Sequence, residues 1–281
     1  MVSAQNASLD ALHDLDLDRY LACLYLPEEL RRDASAIYAF GTETARIAEL
    51  VSEPLPGEIR LQWWREVISL SREHGNNQVA AELLAAIDKH NLPRQTFLAC
   101  LDARVFDLYS DPMPNKATLE AYCGETTSAL MNLIALCASA SPGRELADAC
   151  GHAGVAIAVT QLLKVTAAFR VRQRIYVPQD ILTAAGLTAE SWLSEEPDER
   201  HLNTIAIMLG FARDHYASAI DAINKLDKSL RHLFILLAVV PVTLNVIEKA
   251  GKDLFHNVPE PGQLRRQWSM WRAGIFGFKA M

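Results

Sequence analysis

The chain has 281 residues, of which 50% are hydrophobic and 22% are charged, and its formal net charge is −7. This composition is typical of a globular protein with a substantial core. The acidic balance excludes nucleic acid as the main partner, because phosphate backbones are bound by basic surfaces. The five cysteines are odd in number and widely spaced, which excludes a disulfide framework and a zinc knuckle.

Helical periodicity dominates the sequence, and the alternating pattern typical of strands is almost absent. The breaks between the periodic segments are short, so we predict one all-α domain over residues 1–281. Proline or an acidic residue in the first turn, as at Pro27 and Pro56, supports several of the predicted starts. The predicted helices cover residues 9–25, 28–51, 57–74, 78–90, 93–109, 116–139, 143–172, 199–227, 229–254 and 261–274.

The helix predicted over 143–172 has an unusual composition. Its stretch CGHAGVAIAVTQLLKV is apolar on every face, which predicts a position in the middle of a large bundle. A cavity between such helices is a usual site for a ligand. From Ala149 to Gln179 there is no Asp or Glu, although the second half of this stretch carries the cations Lys164, Arg170, Arg172 and Arg174.

Three segments resemble the squalene/phytoene synthase family of head-to-head prenyl transferases. They are YLPEELRRDASAIYAFGTETARIAELVSEP (25–54), LDARVFDLYSDPMPNKATLEAYCGETTSALM (101–131) and QLLKVTAAFRVRQRIYVPQDIL (161–182). The stretch RIYVPQD is the most specific of the matches. The resemblance implies a single large helical bundle of the isoprenoid synthase type with a central cavity.

The resemblance also implies two Asp-rich motifs that hold Mg²⁺ between two helices that face each other across the core, here the predicted helices 28–51 and 143–172, and the sequence departs from both motifs. The two acids of the first motif fall on Ala45 and Glu49, with Arg46 beside the first. The two acids of the second motif fall on Val165 and Phe169. Apolar side chains do not bind Mg²⁺, which needs hard oxygen ligands. We therefore expect no metal site, no cofactor and no catalytic residues in these degenerate motifs.

The polar residues around the degenerate motifs are candidates for binding an anion or another ligand. Guanidinium groups suit a diphosphate. The alternative is a solvated helix end, where cations suit the negative pole of the helix dipole. Arg170 and Arg174 are one turn apart and away from the face of Val165 and Phe169, which favours the alternative for that pair. The candidates are Arg46, Gln161, Lys164, Arg170, Arg174 and Tyr176.

A further run, SEPLPGEIRLQWWREVI (52–68), is similar to the branch of the family that assists the assembly of respiratory complex I. Arg60, Trp63 and Trp64 in this run are candidates for a partner surface, since Trp and Arg are common in binding hot spots. The alternative is core packing. Adjacent helical residues point about 100° apart, so we expect one tryptophan in the core and the other at the periphery.

The two ends of the chain and its most apolar run indicate where in the cell the protein is located. The amino terminus is acidic and has no base before Arg19, so it predicts neither a secretory signal nor a transit peptide. The apolar run 233–247 is too short to span a bilayer and contains Pro241. We expect a cytoplasmic protein. The tail 264–281 mixes aromatic and basic residues, which predicts peripheral contact with the inner membrane, the alternative being a last helix that closes the bundle.

Three functions are compatible with these features. The first is a non-catalytic family member that assists complex I assembly, with complex I subunits or assembly intermediates as partners. The second is a prenyl transferase of the squalene/phytoene synthase type with an atypical site, for which Mg²⁺ would be the expected cofactor. The third is a protein that binds a prenyl chain or lipid in the cavity without chemistry.

Overall fold

A computed structural model describes residues 6–70, 75–139 and 143–278, and no strand occurs within these ranges. The all-α prediction is therefore confirmed. The α-helices of the first half are α1 (Ala7–Leu15), α2 (Leu17–Leu24), α3 (Glu28–Leu50), α4 (Pro54–Leu70), α5 (Gln78–His90), α6 (Arg94–Val105), α7 (Lys116–Cys123) and α8 (Ala129–Ala138). Those of the second half are α9 (Arg144–Lys164), α10 (Thr166–Val171), α11 (Gln179–Ala184), α12 (Ala189–Ser194), α13 (Glu199–Lys225), α14 (Val240–Ala250) and α15 (Gln263–Phe276).

Other helix types interrupt several of the predicted α-helices. Gly124–Ser128 forms a π-helical turn between α7 and α8, so the segment predicted over 116–139 is not one regular helix. Lys228–Val239 is a 3₁₀-helix that leads into α14, and Gly251–Phe255 is a 3₁₀-helix that follows it. Phe106–Leu108 is a 3₁₀ turn at the end of α6.

Two of the predicted helices are each divided in the structure. The segment 9–25 breaks at Asp16, whose side chain accepts a hydrogen bond from the backbone N–H of Arg19 and so caps α2. The segment 143–172 breaks at Val165, where φ is −99° and ψ is 20°. Side-chain capping at Asp16 begins a new helix because it satisfies an N–H that has no partner within the helix.

Helices α3, α9 and α13 each contribute many residues to the buried core. Helices α9 and α13 pack along each other, while α3 packs against α5 and α8. A close approach is possible at Gly154 of α9, where a Cβ atom would lie 2.4 Å from the Cα atom of Ser128. Only glycine fits there, so α9 lies directly against the π-helical turn.

Two helical stretches are long and apolar enough to cross a membrane, Arg144–Lys164 and Lys228–Phe255. The second is longer than the apolar run 233–247 that the sequence singles out, because 3₁₀ turns extend it at both ends. In the most apolar windows of these stretches, 67% and 61% of the residues are buried inside the bundle. Core helices of soluble proteins meet the same criteria of length and composition.

Candidate functional site

A cavity of about 600 Å³ lies between the helices, and we call it the central cavity. Its volume lies within the range of about 300 to 1,000 Å³ that is common for ligand sites. Its walls come from the start of α2, the second half of α3, the end of α6, the π-helical turn, the end of α9 and the segment that follows it.

Both degenerate motifs line this cavity. Ala45 and Glu49 contribute from α3, and Val165 and Phe169 contribute from the end of α9 and from α10. The two predicted helices 28–51 and 143–172 therefore face each other across the interior, as the sequence predicts. The phenyl ring of Phe169 packs on the ring of Tyr176, with 4.4 Å between the ring centroids.

The only acid retained at the motif positions is held between two guanidinium groups. Glu49 Oε2 lies 4.0 Å from Arg46 Nε on its own helix, and Glu49 Oε1 lies 3.8 Å from Arg172 Nη1 across the cavity. The Nη2 atom of Arg174 also donates a hydrogen bond to the backbone carbonyl of Ala48, at 3.4 Å. One ion pair and one hydrogen bond from a side chain to the backbone thus join the two motif regions.

Other carboxylates of the cavity wall are paired in the same way. Both oxygens of Asp18 accept hydrogen bonds from Arg266 Nη1, each at 3.1 Å. Lys164 Nζ donates to Glu260 Oε1 at 3.0 Å. Burial raises the pKa of Asp18, although the charge of Arg266 acts in the opposite direction. The neighbouring Asp16 pairs with Arg19.

A buried hydrogen-bonded group lies at the inner end of the cavity around Asp107. The hydroxyl groups of Tyr122 and Tyr176 both donate to Asp107 Oδ1, at 2.8 and 2.7 Å. Arg104 Nη1 donates to Asp107 Oδ2 at 3.1 Å and to the Tyr122 hydroxyl at 2.6 Å. Burial raises the pKa of both tyrosines well above their usual range, so they are protonated and act as donors.

Most of the residues predicted to bind an anion lie together in the wall of the central cavity. Arg46, Gln161 and Lys164 line the cavity, and so do Arg172, Arg174 and Tyr176. Arg174 reaches the wall, contrary to the expectation from helical spacing, because Gln173 has a left-handed φ of 55° and turns the chain. The expectation treats Arg170 and Arg174 as one helical turn apart, but α10 ends at Val171 and Arg174 follows the left-handed residue Gln173.

The predicted set of anion-binding residues is corrected at Arg170, because this residue does not line the central cavity. Its Nη2 atom donates to the backbone carbonyls of Leu193 and Glu195, at 3.1 and 2.7 Å. Its guanidinium group also lies 5.3 Å from the ring centroid of Phe255. Arg170 therefore ties α10 to the end of α12 and takes no part in the wall of the central cavity.

Several buried polar atoms of the cavity wall have no hydrogen-bond partner within the described residues. Since guanidinium groups bind phosphate and carboxylate groups well, the wall has donor capacity for an anionic ligand. The atoms are Arg19 Nε, Thr42 Oγ1, Arg104 Nε, Arg174 Nη1 and Arg266 Nε.

The residues present do not fit Mg²⁺. Of the four motif positions only Glu49 carries a carboxylate, and its charge is balanced by Arg46 and Arg172. In the part of the chain that the structure describes, no group of three or more His, Cys, Asp or Glu side chains is placed to hold a metal ion. Mg²⁺ requires several oxygen ligands in octahedral geometry, and this wall offers none that is free of a cation.

The three residues of the predicted partner surface do not all lie on the surface of the protein. Trp64 is only 3% exposed and packs edge-to-face on Phe40, with 5.2 Å between ring centroids. Trp63 is half-buried and Arg60 is exposed. Trp63 shares a surface groove with the exposed side chains of Leu55 and Ile59. Trp64 is therefore corrected to a core residue, and a partner would contact Arg60 and Trp63.

Several residues that line the site are not predicted from the sequence. The segment DLDLDR at 14–19 alternates acidic and apolar residues, and that pattern was the available signal for Asp16 and Asp18. Arg266 is 248 residues from its partner Asp18, and no local pattern predicts such a contact. The cavity residues not predicted are Leu15, Asp16, Leu17, Asp18, Arg19, Thr42, Ala48, Arg104, Asp107, Tyr122, Thr126, Thr127, Ile157, Ala158, Leu162, Glu260 and Arg266.

Comparison with solved structures gives the same architecture. A dehydrosqualene synthase superposes with a TM-score of 0.82 at 15% identity and covers 96% of this chain and 95% of that one. Squalene synthase HpnC from Alicyclobacillus acidocaldarius superposes with a TM-score of 0.71 at 17% identity, covering 87% and 94%. At these identities the likeness establishes the fold alone.

Comparison with known sequences identifies two kinds of relative. NADH dehydrogenase (ubiquinone) complex I, assembly factor 6, is 26% identical in Rattus norvegicus and 28% identical in Bos taurus, over 250 residues that cover 88% of this chain and 75% of each relative. Presqualene diphosphate synthase of Sinorhizobium fredii is 28% identical over 209 residues, covering 73% and 74%. The family model for squalene/phytoene synthase matches residues 12–272. This chain therefore belongs to the squalene/phytoene synthase family.

Proposed function

We propose that this protein is a non-catalytic member of the squalene/phytoene synthase family that assists the assembly of respiratory complex I. The observation that carries the proposal is the pairing of Glu49 with Arg46 and Arg172 at the positions where the family's metal-binding acids are expected. The relatives named complex I assembly factor 6 support the assembly role, because each is similar along 88% of this chain.

Electrostatics argue against prenyl transfer in this cavity. Departure of a diphosphate needs stabilisation of the charge that develops in the transition state. The wall carries guanidinium and ammonium groups, but Arg172, Arg266 and Lys164 are each already paired with a carboxylate of the protein. A cation that is neutralised in the resting protein has less to offer a leaving group, and the buried charge of a diphosphate is costly without full compensation.

A second candidate is the binding of a prenyl compound or lipid without turnover. It is favoured by the guanidinium nitrogens of Arg104, Arg174 and Arg266 that have no partner in the described wall. An anionic head group would satisfy these donors, while the apolar side chains of Ile157 and Leu162 would contact a hydrocarbon chain. Such a ligand is compatible with an assembly role, since the cavity and the outer surface are separate.

The assembly role is tested by deleting the gene from its own organism. We expect less assembled complex I on native gels and a lower NADH:quinone oxidoreductase activity in isolated membranes. Wild-type protein and the Glu49→Gln variant should restore both equally, because no metal chemistry depends on Glu49. Unchanged complex I levels would contradict the role in assembly, and a strict requirement for Glu49 would contradict its non-catalytic nature.

The absence of catalysis is tested on the purified protein. Incubation with farnesyl or geranylgeranyl diphosphate, with and without Mg²⁺, should give no condensed product. Mass spectrometry of lipids extracted from the denatured protein addresses the second candidate. A co-purifying prenyl compound or lipid would support ligand binding, whereas Mg²⁺-dependent turnover would favour a prenyl transferase.

A further inference from the structure

The outer surface formed by α2 and α15 carries a cluster of exposed apolar side chains, which we call the α2–α15 face. On α15 the exposed fractions are 81% for Leu264, 62% for Trp268 and 57% for Ile275. Soluble proteins seldom expose so many large apolar groups together. The face consists of the half-buried Leu21 and the exposed Leu24 of α2, of Tyr25 directly after α2, and of Leu264, Trp268, Trp271 and Ile275 of α15.

The arrangement on α15 follows from helical spacing. Leu264, Trp268, Trp271 and Ile275 are separated by four, three and four residues, so at about 100° per residue they lie within an arc of about 60°. Residues on the other side of the helix, including Met270 and Ala273, are buried against the bundle. The exposed stripe therefore belongs to a helix that is packed in place.

The apolar groups of the face form a continuous surface. The indole rings of Trp268 and Trp271 stack with 4.7 Å between centroids. Trp271 also contacts Phe276 edge-to-face at 6.2 Å. On the other side, Trp268, Leu264 and Leu24 line one groove between the two helices.

The charges that α15 contributes beside the face are all positive. Arg265 and Arg272 lie beside the apolar stripe on α15 and line the adjoining groove. No Asp or Glu occurs from residue 261 to the end of the sequence, although the whole chain has a net charge of −7. Arg266 of the same helix differs from Arg265 and Arg272, because its side chain points inward and donates a hydrogen bond to Asp18. An apolar stripe flanked by arginines complements an apolar layer covered by anionic groups.

We propose that the α2–α15 face binds the surface of an anionic lipid bilayer. Trp side chains favour the boundary between head groups and acyl chains, and arginines beside them contact lipid phosphates. A second copy of the chain is a poorer occupant, because a two-fold contact would gather the arginines of both α15 helices in one interface, and α15 carries no acidic residue to pair with them. The opposite side of α2, at Asp16 and Asp18, lines the central cavity, so the bound bilayer would lie beside that cavity. This binding is independent of the proposed role in assembly.

The test uses sedimentation of the full-length protein with vesicles. Vesicles of phosphatidylcholine alone are compared with vesicles that also contain a quarter phosphatidylglycerol. We expect binding to the anionic vesicles, weak binding to the neutral ones, and a decrease in binding as salt is added. Tryptophan emission should shift to shorter wavelength on binding, since Trp268 and Trp271 are exposed whereas Trp64 and Trp192 are already buried.

Two pairs of variants separate the apolar and electrostatic contributions. Trp268→Ser with Trp271→Ser should lower the partition coefficient about tenfold or more, and Arg265→Gln with Arg272→Gln should lower it about fivefold for each arginine. The controls change exposed residues outside the α2–α15 face and should bind as the wild type does. They are Leu55→Ser with Ile59→Ser for the apolar pair, and Arg144→Gln for the charge.

Circular dichroism should give the same melting temperature for the wild type and for both pairs, because the altered side chains lie on the surface. No binding to anionic vesicles, or equal binding by the wild type and the tryptophan pair, would overturn the proposal. Conversion of a dimer to a monomer by the tryptophan pair, measured by light scattering, would also overturn it and would assign the face to contact between copies.

Discussion

Arg172 Nη1 lies 3.8 Å from Glu49 Oε1, and this contact crosses the central cavity between the two degenerate motifs. The family resemblance implies that metal ions bridge these positions. Here a guanidinium group makes the bridge, and it is supplied by the chain itself. The pair is partly exposed, so its contribution to stability is small, but it neutralises the acid that a metal would use.

The first prediction concerns Mg²⁺. Addition of Mg²⁺ with inorganic diphosphate should not change the melting temperature of the wild type beyond the effect of diphosphate alone. The combined changes Ala45→Asp, Val165→Asp and Phe169→Asp should create a Mg²⁺-dependent shift, because they return carboxylates to both sides of the cavity. The variant should be less stable without metal, since the new charges are partly buried.

The matched control replaces the same three residues by Asn, which has nearly the same shape and no charge. It should show no dependence on Mg²⁺. A Mg²⁺-dependent shift in the wild type would mean that other acids of the cavity bind the metal and would contradict the assignment of the motifs.

The second prediction concerns the buried group around Asp107. Asp107→Asn should lower the free energy of unfolding by about 3 to 5 kcal/mol, because it leaves the Arg104 guanidinium buried without a carboxylate. Denaturant unfolding at pH 7 measures this loss. The control Asp111→Asn changes an exposed acid four residues away and should stay within about 0.5 kcal/mol of the wild type. Equal stability of the two variants would show that the hydrogen bonds of Asp107 contribute little.

The third prediction concerns pH. Burial lowers the pKa of His215 below its ordinary value of 6.5; His152 and Lys116 act in the same direction, and Glu120 and Asp214 oppose them. Because folding favours the neutral imidazole, its contribution to stability is complete above the ordinary pKa and is lost as the pH falls below it. His152 Nδ1 lies 3.1 Å from His215 Nδ1, so a positive charge on His152 would further disfavour protonation of His215.

We therefore expect the free energy of unfolding to fall between pH 7.5 and pH 5.5, and to fall less in the His215→Gln variant. Denaturant titrations at the two pH values measure the difference. His232 also has a pKa lowered by burial and will keep part of the dependence in the variant. The exposed His13 provides the control, and His13→Gln should follow the wild type. An identical pH dependence in all three proteins would argue against His215.

The fourth prediction separates the two adjacent tryptophans. Trp64→Ala should cost about 3 to 5 kcal/mol of stability, because it leaves a cavity beside Phe40. Trp63→Ala and Arg60→Ala should change the melting temperature little. If Arg60 and Trp63 contact a partner, both variants should reduce co-purification of complex I subunits from cells. Unaltered co-purification would remove this surface from the proposed assembly role.

The sequence predicts the helical fold and the opposition of the two motif regions, since both depend on periodicity and on matches that span long segments. It does not predict how side chains behave where a helix ends. Arg174 lines the cavity only because Gln173 adopts a left-handed φ of 55°, which a regular helix does not contain. It also does not predict the pairing of Asp18 with Arg266, because these residues meet only after the whole chain has folded.

Gly154 affects the width of the central cavity, although it is not one of the residues that line the cavity. A single added methyl group at this position would lie 2.4 Å from the Cα atom of Ser128 and would push the π-helical turn away from α9. That turn carries Thr126 and Thr127 into the cavity wall, while α9 contributes Ile157 and Ala158. Because glycine has no side chain, α9 and the π-helical turn can pack directly against each other at this position. The size of the central cavity thus depends on a residue behind its wall, at a position that does not line the cavity.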